Sequence, residues 1–126
     1  MISKKCHCGA SKPFEECCEI YINRIQKAPT AEALMRSRYV AYVTHAVDYL
    51  VETTCVSERK YHLKSDILNW SVSNNWLKLE IIKATENTVE FKAYFIDSNG
   101  NNQIHHEDST FVFENGSWFY VDGSFY

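Results

Sequence analysis

Two periodicities divide the chain. From Ala31 to Leu50, apolar residues recur at three- and four-residue steps (Ala31, Met35, Tyr39, Tyr42, Val43, Ala46 and Leu50), the spacing of one buried helical face. Thr30, directly after Pro29, has the side chain to cap that helix and sets its start. Asp48 opens a second helical piece over residues 49–54, and Ser65 is placed to cap a third over residues 66–72, before Asn74-Asn75 breaks it. Residues 56–64 are polar and read as a loop. From Trp76 the period changes to two. Leu77, Leu79 and Ile81 alternate with Lys78 and Glu80, while Val89, Phe91, Ala93 and Phe95 alternate with Glu90, Lys92 and Tyr94. Turn residues at Glu86-Asn87, at Asp97 to Asn102 and at Asn115-Gly116 separate four strands, the last over residues 118–121. Helices followed by an antiparallel meander predict an α+β fold whose sheet curls around the helices.

A different kind of segment precedes these elements. Cys6, Cys8, Cys17 and Cys18 follow the spacing C-x-C-x8-C-C, with Gly9 permitting a tight turn after the first pair and Phe14 placed to cover the site. Four thiolates suit tetrahedral zinc, and a closed four-sulfur shell leaves no open position, so one structural Zn²⁺ per chain is expected. So short a segment buries no core of its own, and metal binding would supply its folding free energy. Two readings compete: a pair of disulfides in an oxidising compartment, and a reactive vicinal dithiol at Cys17-Cys18. Met1-Ile2-Ser3-Lys4-Lys5 runs into cysteines rather than an apolar stretch, so no secretory signal is expected. A reducing cytoplasm follows, where clustered cysteines point to metal first. His7 reads as a solvent-facing neighbour and Cys55 as a small buried hydrophobe.

Length and charge narrow the picture. The 126 residues hold one compact domain over residues 29–126 and an appendage over residues 1–28. Residues 28–126 carry eight Lys/Arg against thirteen Asp/Glu, a charge of −5 that disfavours extensive nucleic-acid binding there. No stretch is long and apolar enough to span a bilayer. Eight Tyr and seven Phe make the interior ring-rich, most simply as core packing.

The residues from Cys6 to Cys18 resemble the SEC-C motif, named after the C-terminal zinc segment of the SecA translocation ATPase. Ala10 stands where that motif usually has Ser, which is not a ligand. Further on, Ala33-Leu34-Met35-Arg36-Ser37-Arg38-Tyr39, Asp48-Tyr49-Leu50, Glu107-x-Ser109-x-Phe111 and Trp118-Phe119-Tyr120-Val121-Asp122-Gly123 resemble the YchJ family. Asp108 departs from the Arg that family often has, and no second SEC-C motif follows. The resemblance implies a nuclear transport factor 2-like cone, three helices against a curved antiparallel sheet, behind a zinc-binding SEC-C segment. It also implies a zinc-binding adaptor, since SecA's tail docks partners; a protein or ribonucleoprotein is the expected partner. The alternative is a small-molecule binding protein, or an enzyme of the cyclase or isomerase type, using the cone pocket. A homodimer through the outer face of the sheet is a third outcome the fold allows.

For the pocket, Arg38 falls between Leu34 and Tyr42 at the margin of the apolar stripe. A guanidinium buried there needs a carboxylate, and Glu107 and Asp122 are the candidates. Strand parity puts His105 on one side with Glu107, Ser109, Phe111 and Phe113, so His105 rather than His106 faces inward. The pocket candidates are therefore Arg38, Tyr42, His105, Glu107 and Asp122. With no phosphate-binding glycine loop, nucleophile elbow or H-E-x-x-H, no catalytic residue is assigned.

Overall fold

The structure is a computed structural model that describes residues 5–126; the absence of a leader read from Met1–Lys4 lies outside the described residues. A short 3-10 turn at Phe14–Glu16 leads into α1 (Cys18–Ile22), followed by α2 (Ala31–Thr44), α3 (Val47–Glu52), a second 3-10 segment at Val56–Tyr61, and α4 (Lys64–Ser73). Four strands complete the chain: β1 (Asn75–Ala84), β2 (Thr88–Ile96), β3 (Asn102–Glu114) and β4 (Ser117–Phe125). They form one antiparallel sheet in the order β1-β2-β3-β4, the expected meander. Among the described residues no helix is long and apolar enough to cross a membrane.

Thr30 caps α2 as its chemistry requires, its hydroxyl accepting from the Ala33 amide at 3.0 Å. The helix stops earlier than the apolar stripe suggests. His45 adopts a left-handed conformation (φ 63°), and the Ala46 amide turns back to the Ala41 carbonyl at 2.8 Å. Ala46 and Leu50 therefore sit on the corner and on α3. The imidazole of His45 bonds Ser71 on α4 at 2.7 Å, and Ser71 donates to the Tyr42 carbonyl, so one polar chain closes the corner. α4 begins at Lys64 with Leu63 at its cap and no side-chain capping bond; Ser65 lies within its first turn.

The sheet bends because its register slips. Leu77 and Ile82 are extra residues in β1 against β2, and Val121 is extra in β4 against β3. Such bulges sharpen twist and re-aim side chains. Leu77, expected inward from the alternation, is 53% exposed for this reason. β2 keeps strict alternation, with Val89, Phe91, Ala93 and Phe95 all buried against the helices. α2 runs through the concavity and is buried on nearly every side, Ser37 and Arg38 included.

Two departures reflect the β4 edge. Cys55, read as buried, is only half-buried, and Thr54 takes the interior place at 1% exposure. The cause is a backbone bridge, in which the Cys55 amide donates to the Tyr120 carbonyl and the Tyr120 amide to the Thr53 carbonyl, both at 2.7 Å. That bridge covers part of an otherwise open strand edge. Phe113, read as inward, lies near the last turn and is 57% exposed, packing on Trp118 instead.

Candidate functional site: a cysteine cluster and a cone cavity

A compact loop gathers the four N-terminal cysteines. Lys5 bridges Pro13, the Cys6 amide bonds the Lys12 carbonyl at 2.9 Å, and Gly9 turns the chain back at φ +94°, a conformation glycine adopts without strain. The 3-10 turn then delivers Cys17, whose amide bonds the Phe14 carbonyl at 3.0 Å, and Cys18 opens α1. The four sulfurs lie within 4.8 Å of one another, with Cys8–Cys17 at 3.7 Å and Cys17–Cys18 at 3.9 Å. A disulfide needs a separation of about 2.05 Å. Four zinc–sulfur bonds of about 2.3 Å in a tetrahedron place their sulfurs about 3.8 Å apart, which these separations match. The donor set thus fits a thiophilic metal ion with four ligands and no open position.

The protonation pattern agrees. Hydrogen bonds from the Cys18 and Cys6 thiols hold Cys8 down at about 2. Burial, followed by the charge of Cys8, pushes Cys17 up to about 11, and the bonds Cys18 makes to Cys6 and Cys8 raise it further above its ordinary range. Cys8 thus ionises readily while Cys17 and Cys18 resist it; a bound dication would favour the thiolate form at the site.

The sulfurs face the body of the protein. Cys6, Cys8 and Cys18 belong to the same buried cluster as Ile22 and Leu34, while His7 between them is exposed. Arg36 on α2, held by Glu32 at 2.9 Å, donates to the Cys8 carbonyl at 2.7 Å.

Inside the cone a cavity of about 200 Å³ opens between α2, α4 and the concave face of the sheet. Tyr42, Trp76 and Phe91 wall it, and Trp70 and Phe125 stand at its more exposed side. Its floor is Glu107, only 5% exposed, which accepts from His105 Nε2 at 2.7 Å, Ser109 at 2.5 Å and the Tyr120 hydroxyl at 2.9 Å. Burial works against this charge, but the bonds from His105, Ser109 and Tyr120 outweigh it and hold the carboxyl below its usual range. Burial, then the Glu107 charge, raises Tyr120. His105 faces the cavity; His106, on the opposite face, bonds Glu90 at 2.8 Å and stacks on Tyr126.

Because the folded pKa of Glu107 is depressed, its stabilising contribution is fully present above the unfolded value near 4.5 and is lost as pH falls through the lower folded value. Urea midpoints measured across that acid range should therefore decline in the wild type and decline less in Glu107→Gln. Parallel pH profiles would mean that the three donors do not hold the carboxyl down.

Arg38 turns inward at 6% exposure, yet the carboxylate partner expected for it is not there. Its Nη1 donates to the Leu50 carbonyl at 3.0 Å and to the hydroxyls of Thr53 and Thr54 at 2.7 and 3.4 Å, and its guanidinium lies 4.6 Å over the Tyr120 ring. Glu107 is engaged by its own three donors. Asp122 is exposed on the outer face, opposite Thr110 in the ladder. The end of α3 supplied the acceptors instead, a place no strand pattern marks. His62 and Tyr120, which also line the cavity, carried no signal in the sequence pattern either. Gly123 lies opposite Ser109, with the Glu107 carboxylate against its backbone.

Comparison with known proteins places these features. A family model described as "YchJ, middle NTF2-like domain" matches residues 30–123. A UPF0225 protein of Vibrio parahaemolyticus is 41% identical, with 98% of this chain and 77% of the relative covered. A UPF0225 protein of Geobacter sulfurreducens is 37% identical over 94% of this chain and 77% of its own length. The solution structure of a SEC-C motif containing protein from Rhodopseudomonas palustris superposes with a TM-score of 0.87 at 36% identity, covering 94% of this chain and 96% of that one. The crystal structure of a SEC-C motif containing protein from Psychrobacter arcticus gives 0.77 at 28% identity, covering 97% and 81%.

Proposed function

The chain belongs to the YchJ family, and from that premise we propose that it is a zinc-stapled, small-molecule-binding protein of the NTF2-like class. Zn²⁺ is held by Cys6, Cys8, Cys17 and Cys18, where it cross-links the N-terminal segment and has no position for a substrate. The ligand occupies the cone cavity. One observation carries this reading: a buried, ionised carboxylate with three aligned donors lies under an aromatic hollow. A core needing only to be packed would be no less stable with apolar residues there, whereas concave sites with a few convergent polar groups are how ligands are held.

Titrating ¹⁵N-labelled protein with small aromatic acids, alcohols and amides tests it. Shifts should gather at Tyr42, Trp76, Ala93 and His105. Shifts scattered over the outer face of the sheet would count against the cavity.

A docking role for the zinc segment has its own support. Lys5, His7, Ser11, Lys12, Glu15 and Glu16 are exposed around the cysteine loop and offer a mixed-charge surface to a protein or ribonucleoprotein in the cytoplasm. If docking is the segment's task, Lys5→Ala/His7→Ala/Lys12→Ala protein should keep its zinc and lose its partner.

A further inference from the structure

A guanidinium has five N–H donors. Arg38 uses only those on Nη1, toward Leu50, Thr53 and Thr54; Nε and Nη2 meet no acceptor among the described residues. Among those residues, however, no buried side-chain nitrogen or oxygen lacks a partner. Nε and Nη2 therefore reach open space, and a side chain 6% exposed reaches it through the cavity it lines. Nε and Nη2 form one edge of the guanidinium fork, the edge that matches a carboxylate with two parallel bonds.

The charges point the same way. A buried cation is costly unless a counter-charge answers it, and here the protein offers only a carbonyl, two hydroxyls and the face of Tyr120. Glu107 does not fill the gap. Tyr120 contacts both, with its ring face under Arg38 and its hydroxyl on Glu107, no ion pair joins the two among the described residues, and Glu107 is engaged by three donors of its own. The open end of the cavity's chemistry is thus the cation.

We infer that Arg38 is the recognition group for a small aromatic carboxylate, a reading that rests on the cavity being a ligand site. The acid takes the free Nε–Nη2 edge, and its ring lies among Tyr42, Trp76 and Phe91 in a space sized for one substituted ring. Glu107 on the same floor disfavours a ligand that carries a further acidic group besides the one on Arg38.

Benzoate and its neutral counterpart benzyl alcohol serve as probes, titrated into the intact zinc-loaded protein by NMR. Benzoate should bind at least about tenfold more tightly, the discrimination expected of a charge-assisted bidentate contact. The Arg38 Nε–Hε resonance should move with the cavity amides. Arg38→Lys, which keeps the charge and loses the fork, should forfeit most of that preference. Since Arg38 variants also disturb the end of α3, the wild-type Nε resonance is the deciding readout. If both probes bind in the cavity with equal affinity, or benzoate binds and the Arg38 Nε stays still, the inference fails while the ligand site stands. If neither probe perturbs the cavity at millimolar concentrations, both readings fall.

Discussion

Purified under reducing conditions, the protein should carry one zinc ion per chain, and stripping it should free residues 5–22 while the β-sheet keeps its amide protection. α1 has only five residues, well below the length at which an isolated helix holds itself in water. On the zinc reading the segment's order would rest on the metal, whose apparent contribution in comparable zinc peptides is on the order of 10–16 kcal/mol. The sheet and α2 to α4 have a core of their own and should survive chelation. They should not survive it unchanged, because Cys6, Cys8 and Cys18 are part of that core's flank and Arg36 loses its acceptor at Cys8. The signature is thus full loss of exchange protection in the segment with a lowered melting temperature for the rest. Cys17→Ser/Cys18→Ser should reproduce both effects and retain no zinc. Elemental analysis without zinc would remove the premise, and a sheet that exchanges freely after chelation would show that the metal segment organises the whole cone.

The second large effect is expected at Gly123. A Cβ built there would lie 2.1 Å from Glu107 Oε2, 2.5 Å from its Cδ and 2.7 Å from its Cγ. Neither group has room to yield, since Glu107 is pinned by His105, Ser109 and Tyr120 and Gly123 is paired to Ser109 in the ladder. The backbone at Gly123 is not left-handed, so the effect is steric and electrostatic rather than conformational. Gly123→Ala should combine overpacking with the breaking of a buried charge network and cost about 3–5 kcal/mol. The double variant Gly123→Ala/Glu107→Ala should recover part of the loss by vacating the space. A Gly123→Ala protein with an unchanged denaturant midpoint would mean that Glu107 moves freely and that the cavity floor is soft.

What the sequence disclosed and what it withheld have a common physical reason. Thr30 after Pro29, and the cysteine spacing with Gly9, act over a few residues, so local rules identify a helix start and a cluster of four cysteines directly. The alternation of β2 does the same for a strand buried on one face. Leu77 misled because a bulge breaks the period of two, and bulges are set by the neighbouring strand. Arg38 shows both sides. Its burial follows from its position on α2, but its partners come from the end of α3 and from Tyr120 on β4, whose pairing with Thr53 and Cys55 is a tertiary event. His45 ends α2 in a conformation no pattern announces, because Ser71 across the corner helps to hold it. Glu107 and His105 were readable by parity within one strand. Ser109 was readable in the same way; the fourth member of that network, Tyr120, needs the register of the next strand.

The cysteine loop has a consequence in time as well as in space. All four clustered cysteines come from the uninterrupted stretch Cys6 to Cys18, whereas Arg36, which the finished loop touches, is made later. A chain emerging N-terminus first therefore exposes a complete set of thiols before any helix of the cone exists, and closing so short a loop costs little entropy. On the proposed zinc reading, metal taken up at that moment would fix the segment that α2 later packs against. Synthesis under zinc shortage should yield chains whose cone closes around a frayed start, and their susceptibility to proteases would record the metal supply at the ribosome rather than the supply met afterwards.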